Sequence, residues 1–314
     1  MSLWLVGTGP MAVAQAKVLS NLMEPFTVIG RGEKSAGIFA EKTGITPLTG
    51  GAANILKKQT APLKAIVAVD IDGLADVAIA LMQSGTKKIL LEKPGGLNVR
   101  QIEKIHQVAK DNDTDVLIGY NRRFYSSTLK AEEIIAEDGG IRSVQFEFTE
   151  WASKVNNLSI PSIVKEQWLI CNSSHVIDLV FFLCGYPASW NYWSNGSLEW
   201  HPSGSHFCGA GTTTQKVMFS YIADWQSSGR WGIEIFTPKR RLVLRPMEQL
   251  QAIALNSTEL MRVKLEDELD RNFKPGIHKQ LEAFLCNDTS RFCTLSQQAK
   301  NIKFYSQMGG YSYG

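Results

Sequence analysis

Glu92, Lys93 and Pro94 follow directly on the apolar residues Ile89, Leu90 and Leu91, and Gly95 and Gly96 come next. A buried strand that only had to end would use a turn residue. Here it ends in two opposite charges, backed by the one residue type that fixes its own φ. A surface ion pair at a strand end is the plain explanation. A lysine held by a stiff backbone at a strand tip offers more chemistry, because a positioned cation can polarise an oxygen on which negative charge develops.

The stretch "CNSSHVIDLVFFLCG" (171–185) reads as a helix that Ser173 or Asn172 could cap and Gly185 could stop. His175 and Asp178 are three apart and share a face. A neutral imidazole near pH 7 can take the proton of an alcohol or return it, although a lone histidine on an apolar helix is more often a core residue. Cys171 as a nucleophile has no other support in the sequence. Arg122 and Arg123 suit either an anionic substrate or structural ion pairs. Trp151 and Trp168 fit core or interface packing better than a sugar platform. Lys274 and His278, at the start of a late helix, are candidates for a pocket border. His106, His201 and His206 lack metal-ligand spacing, so no metal is expected.

A third constellation opens the chain. "VGTGPMA" supplies Gly7, Gly9 and Ala12 in a G-x-G-x-x-A pattern directly after an apolar run and at the mouth of a helix. The first glycine permits the turn, the second lets the backbone approach a pyrophosphate, and Ala12 allows close helix–strand packing. Pro10 suits a first helical turn. Thr8, Pro10 and Met11 are therefore expected cofactor contacts with the two glycines, as is Asp70 after the third apolar run. An NAD site usually places Asp or Glu about 20 residues on, for the ribose 2′-hydroxyl. This chain has "VIGRGEK", with Arg31 in that region. An arginine there suits a 2′-phosphate, which favours NADP while leaving NAD possible.

These groups need elements to position them. Apolar runs at 3–7, 26–30, 63–69, 87–92 and 115–120 alternate with helical stretches at 11–22, 34–43, 73–84 and 99–111, which predicts βαβ units and a parallel sheet. After about residue 140, segments 143–150, 215–222, 230–236 and 240–246 read as strands of an antiparallel sheet with one open face. Helices are expected over 173–183, 276–286 and 296–308. Seven of the eight Trp residues lie at or beyond Trp151, so the halves also differ in composition. The expected domains are 1–122, a dinucleotide-binding domain, and 123–314, for substrate and oligomerisation.

Length, 314 residues, and a 44% hydrophobic share suit one large or two medium domains. The net charge of +3 is spread along the chain, which speaks against nucleic acid or an anionic membrane as the main partner. No apolar run is long enough to span a bilayer, and the N-terminus lacks the pattern of a signal peptide. Five scattered cysteines without a C-x-x-C pair are expected as reduced thiols in a cytoplasmic protein.

With the glycine pattern, Glu92-Lys93-Pro94, "GYNRRF" (119–124) and the histidine helix in place, nearly the whole chain resembles the glucose–fructose oxidoreductase, inositol dehydrogenase and rhizopine-catabolism family, Gfo/Idh/MocA. The resemblance implies an α/β chain with an N-terminal Rossmann parallel sheet, then an α/β domain with an open, mainly antiparallel sheet. It puts Glu-Lys-Pro at the end of strand five. It implies that Lys93 contacts both nicotinamide and a substrate hydroxyl, that Glu92 and Asn121 help hold the cofactor, and that His175 carries the proton. Arg122, Asn172 and Asp178 are the expected substrate contacts. The family usually has Asp four residues before the histidine, where this chain has Cys171 followed by Asn172. The implied reaction is hydride transfer between a nicotinamide and a secondary alcohol or ketone of a sugar, cyclitol or nucleotide-sugar. The histidine helix is similar to that of members encoded among surface-polysaccharide genes. Redox-assisted glycoside cleavage or isomerisation with a bound cofactor, and a cofactor-binding regulator of the same fold, are the alternatives. A homodimer or homotetramer through the antiparallel sheet is expected, because its Trp-rich apolar face is costly to leave in water.

Overall fold

The computed structural model describes residues 2–311. It begins with β1 (Leu3–Val6), whose four residues are all buried, as a central strand of a two-sided sheet requires. There follow α1 (Pro10–Asn21), β2 (Thr27–Ile29), α2 (Glu33–Thr43), α3 (Ala52–Leu56), β3 (Lys64–Val67), α4 (Leu74–Gln83), β4 (Lys88–Glu92), α5 (Val99–Asp111) and β5 (Asp115–Gly119). The five strands are parallel. Helix α5 has Asn98 as N-cap, its side chain accepting from the Gln101 amide.

The next elements are α6 (Ser126–Asp138), β6 (Ser143–Glu147), two short helices α7 (Ala152–Asn156) and α8 (Ser162–Glu166), and α9 (Ser174–Cys184), which a π-turn over Leu169–Ser173 introduces. Strands β7 (Pro187–Asn195), β8 (His206–Thr213), β9 (Met218–Asp224), β10 (Gly232–Phe236), β11 (Arg240–Leu244), β12 (Gln251–Ala254) and β13 (Met261–Arg262) complete an eight-stranded sheet with β6. All its pairings are antiparallel except β6 with β9. Helix α9 packs on β6 and β10.

The last elements are α10 (Glu268–Asn272), α11 (Ile277–Leu285), β14 (Cys293–Thr294) and α12 (Leu295–Met308). The first sheet runs β14-β5-β4-β3-β1-β2.

The chain forms two compact units. One takes in residues 2–121 together with Leu269–Ile302, the other Arg122–Glu268 with residues 303–311. A single domain over 123–314 therefore does not describe the C-terminal part. Residues 269–302 return to the first unit because α11 packs on α1 and β14 pairs antiparallel with β5.

The Glu-Lys-Pro segment ends the fourth strand, not a fifth. Between β2 and β3 only one residue pair, Ile29 with Leu48, makes a parallel bridge, so no further strand forms there. In the described residues no helix is long and apolar enough to cross a membrane.

Candidate active site

The first unit builds its site around the turn after β1. Gly7 has φ +131°, and a Cβ there would lie 2.1 Å from the Ala68 carbonyl oxygen, so only glycine lets the loop pass β3. Gly9, the residue before α1, has an ordinary φ of −78°, and nothing lies within 4 Å of a Cβ placed on it. No side chain caps α1, and Pro10 begins it. The amides of its first turn are thus left facing a cavity of about 560 Å³, lined by Gly7 to Met11, Gly30, Arg31 and Ala68 to Asp70 among others. A helix N-terminus with an open glycine beside it attracts an anion and admits a pyrophosphate, and the volume suits part of a dinucleotide. The residues present fit that group. Gly7, Thr8, Gly9, Pro10, Met11, Arg31 and Asp70, singled out from the sequence, all border this one cavity.

At the end of β2 the expected carboxylate is absent. Arg31 is 89% exposed and lies 3.6 Å from Asp70, itself 80% exposed. An exposed pair of this kind contributes little, so Arg31 is able to turn to another anion. Thr8 donates to the Ser35 hydroxyl at 3.0 Å, and Ser35 donates to the Gly32 carbonyl at 3.1 Å. Glu33 does not reach the strand end. It accepts from Thr49 at 2.6 Å and sits in the first turn of α2, where a carboxylate is favoured by the helix dipole.

The tip of β4 is densely supported. Glu92 is buried and accepts from Gln15 Nε2 at 2.7 Å. Burial pushes its carboxyl up to about 7, against the pull of the Lys93 and Lys274 charges, the Lys93 amide and the Gln15 bond. Lys93 is half-buried, and its peptide bond to Pro94 is cis. The Pro94 carbonyl accepts from Gln298 Nε2 at 2.9 Å, and the same nitrogen donates to the Tyr120 hydroxyl at 3.1 Å. Asn121 donates to the Pro275 carbonyl at 3.0 Å. The Lys93 and Lys274 charges thus both act on Glu92 at the β4 tip. His278 is instead buried beside Asn21, 3.0 Å away, and Phe273.

In the second unit His175 lies in the first turn of α9, 7% exposed, its ring centroid 6.0 Å from that of Trp231. The Arg122 guanidinium sits 4.8 Å over the same indole. Asn172 and Ser173, in the π-turn before α9, donate to Oε1 of Glu150 at 2.9 and 2.8 Å. Trp231 Nε1 donates to that oxygen at 3.2 Å, and Arg230 donates to Oε2 at 2.8 Å. Burial raises the Glu150 carboxyl and the Arg230 charge opposes it. Nothing in the sequence singles out Glu150, which looks there like the solvated end of the run 143–150.

Asp178, an expected substrate contact, is held otherwise. Arg123 donates to both of its oxygens, at 2.8 and 2.6 Å, with both side chains almost fully buried. Buried next to its ion-pair partner, it secures α9 to the residues after β5. Trp168 packs edge-on against Trp200 and is buried. Trp151 is 45% exposed, with Lys154 and Arg230 at its ring. His201 is buried and bonded to Gly204 and Tyr311, and burial pushes its pKa down to about 4, so it is a neutral structural histidine. Cys171 is buried at the start of the π-turn.

A family model described as an oxidoreductase family with an NAD-binding Rossmann fold, GFO_IDH_MocA, matches residues 1–120. No curated protein matches the sequence. Among solved structures, the chain is similar to UDP-N-acetylglucosamine 3-dehydrogenase GnnA from Acidithiobacillus ferrooxidans, with a TM-score of 0.76, 14% identity, and 100% of this chain and 98% of that one covered. It is also similar to levoglucosan dehydrogenase in complex with NADH and L-sorbose, with a TM-score of 0.77, 16% identity and coverage of 98% and 95%. An oxidoreductase from Agrobacterium radiobacter in complex with NAD+, L-tartaric acid and magnesium has a TM-score of 0.75, 12% identity and coverage of 98% and 94%. At these identities the likeness is one of fold. Residues 1–120 are thus similar to the NAD-binding Rossmann domain of the Gfo/Idh/MocA oxidoreductase family.

Proposed function

We propose that the protein is an NADP-dependent dehydrogenase or reductase acting on a secondary alcohol or ketone of a sugar, cyclitol or nucleotide-sugar. The observation that carries this reading is the link between the glycine-loop helix and the β4 tip, where Gln15 of α1 holds Glu92 beside Lys93. One helix thereby presents its N-terminus to the dinucleotide cavity and its body to the charged strand end. Bound nicotinamide supplies hydride transfer. Glu92 and Asn121 steady its surroundings, Lys93 polarises the reacting oxygen, and His175 takes or returns the hydroxyl proton. Arg31, with Thr8 and Ser35 nearby, holds the 2′-phosphate.

The solved structures named for UDP-N-acetylglucosamine 3-dehydrogenase and for levoglucosan dehydrogenase support a sugar substrate. A nucleotide-sugar would suit a place in surface-polysaccharide biosynthesis. The second sheet supports a homodimer or homotetramer. Trp193, Cys208 and Ile222 form one cross-strand row, and Trp193 and Ile222 are exposed, with Met218 beyond them on the same face. The test is a fluorescence titration with NADPH and NADH, followed by a screen of sugars, inositols and nucleotide-sugars for net reduction of the cofactor. Turnover establishes the reading. Binding without turnover on any of them replaces it with a cofactor-binding regulator.

A further inference from the structure

Glu150 is a buried carboxylate at the entry to the histidine helix that the roles above do not use. Four groups donate to it: Asn172 Nδ2, Ser173 Oγ, Trp231 Nε1 and Arg230 Nη1. Indole and guanidinium nitrogens can only donate, so this surrounding suits an ionised carboxylate, which can only accept. That settles which way the half-exposed Asn172 amide points. Its NH2 end must face Glu150, and its carbonyl Oδ1 must face away. Among the described residues Oδ1 makes no hydrogen bond, and Asn172 lies in the π-turn that leads into α9, three positions before His175.

We propose that Glu150 is a positioning residue that fixes Asn172 as an obligate acceptor for a second substrate hydroxyl, neighbouring the one that His175 serves. The inference rests on the dehydrogenase reading and narrows its substrate class to polyols with a free hydroxyl beside the reacting carbon. An Asn172 free to flip would bind a hydroxyl, an ether or a carbonyl almost equally. Held by Glu150, it accepts from a hydroxyl and leaves an acceptor unmatched beneath the bound substrate when the hydroxyl is missing, which is the arrangement that discriminates most strongly. The charge on Glu150 also polarises the amide and strengthens Oδ1 as an acceptor. Glu150 acts through Asn172 and itself touches no substrate.

The experiment uses the full-length protein with NADP+ and whichever of inositol, D-glucose, levoglucosan or UDP-N-acetylglucosamine it oxidises fastest, with the monodeoxy analogues of that compound. Glu150→Gln is expected to raise KM for the polyol roughly 10- to 100-fold with kcat changed far less, because the lost contact is made in both ground and transition states. Its preference over the deoxy analogue should shrink by a similar factor. Asn172→Asp, which sets two carboxylates against each other, is expected to lose at least as much. The double variant, Glu150→Gln with Asn172→Asp, is the decisive one. Its new amide can donate to its new carboxylate, whose second oxygen again accepts the hydroxyl, so the double variant should outperform both singles. A carboxylate that only supports the fold would instead give additive or greater damage. Should Glu150→Gln unfold, as melting would reveal, Asn172→Ala keeps the Glu150–Arg230 pair and must still raise KM for the polyol and not for its deoxy analogue. An unchanged KM in Glu150→Gln, a double variant worse than both singles, or an Asn172→Ala protein that treats both substrates as before would each overturn the inference. Failure of the unaltered protein to oxidise any polyol would overturn the dehydrogenase reading itself, and that result is visible before any variant is made.

Discussion

Gln15 donates from Nε2 to Oε1 of Glu92 at 2.7 Å, with both side chains buried, and so joins α1 to the tip of β4. The residues are 77 apart in sequence, and one belongs to the helix that starts at the glycine loop. The bond ties the position of α1 to that of the carboxylate next to Lys93. The other end of the amide, Gln15 Oε1, is buried and has no hydrogen-bond partner among the described residues.

The burial of Glu92, which this bond only partly offsets, leads to a pH dependence with a definite sign. Glu92 has its carboxyl raised from the ordinary value of 4.5 to about 7, chiefly by burial. The folded protein therefore holds this proton when the unfolded chain has lost it. The stabilisation is complete below about 4.5, falls as pH rises between about 4.5 and 7, and is absent above that, a loss of at most ~3 kcal/mol. Glu92→Gln should flatten stability across this window. Chemical unfolding at pH 5 and pH 8 measures it, and an equal slope in both proteins would rule the assignment out.

Two glycines of one loop should respond differently to the same change. Gly7→Ala drives a methyl into the Ala68 carbonyl and strains a left-handed backbone, so the fold should lose about 2 kcal/mol or more. Gly9→Ala has room and an ordinary backbone, so melting should barely change while dinucleotide affinity falls, because the new methyl stands where the pyrophosphate approaches. Melting curves and nicotinamide fluorescence on both variants test this. A Gly9→Ala protein that binds normally would refute it.

Arg31 is exposed and only loosely held by Asp70. NADPH should bind well ahead of NADH in the unaltered protein, and Arg31→Asp should narrow or reverse that order, since a carboxylate repels a 2′-phosphate and accepts from a 2′-hydroxyl. Equal affinities before mutation would remove the reason for the assignment.

Asp178→Ala should act on stability. Removing it leaves Arg123 charged and buried, at a cost of roughly 3–5 kcal/mol. Replacing both residues with apolar ones of similar size should cost much less. A double variant as unstable as the single one would contradict this.

The first sheet was largely legible because β1, β3 and β4 are continuous apolar runs set between helices, a pattern that buried parallel strands produce. The second sheet was only half legible. Strand β7 reads PASWNYWSN and is exposed along most of its length, so it shows neither an apolar run nor alternation. Strand β8 carries two glycines and no apolar run to mark it in the sequence, although its burial alternates. Helix α6 has only the short helix-forming run Ala131, Glu132, Glu133 and Ile134 to announce it. At the site, Gly7, Gly9 and Lys93 announce themselves by residue type at a strand end. Glu150 does not, because its importance comes from Asn172, Ser173, Arg230 and Trp231, which only folding brings to it.

The β4 tip carries the most consequential prediction. If Lys93 polarises the reacting oxygen, Lys93→Ala should lower kcat by about 10² to 10³, the effect of removing one positioned charge from a developing alkoxide. Cofactor affinity should change much less, because the loop, α1 and Arg31 hold the far end of the dinucleotide. The variant has a side effect that must be separated. The Lys93 charge also pulls the Glu92 carboxyl down, so its loss leaves Glu92 more fully protonated near neutrality. Lys93→Arg keeps that charge but displaces the donor, since a planar guanidinium cannot occupy the point position of an ammonium. Both variants should therefore be slow, while only Lys93→Ala should shift the pH at which Glu92 titrates. His175→Ala should cost a similar factor, with most of the loss in kcat, as expected for a group that moves a proton. Full turnover in Lys93→Ala would reduce Glu92-Lys93-Pro94 to a strand terminator and remove the catalytic assignment with it.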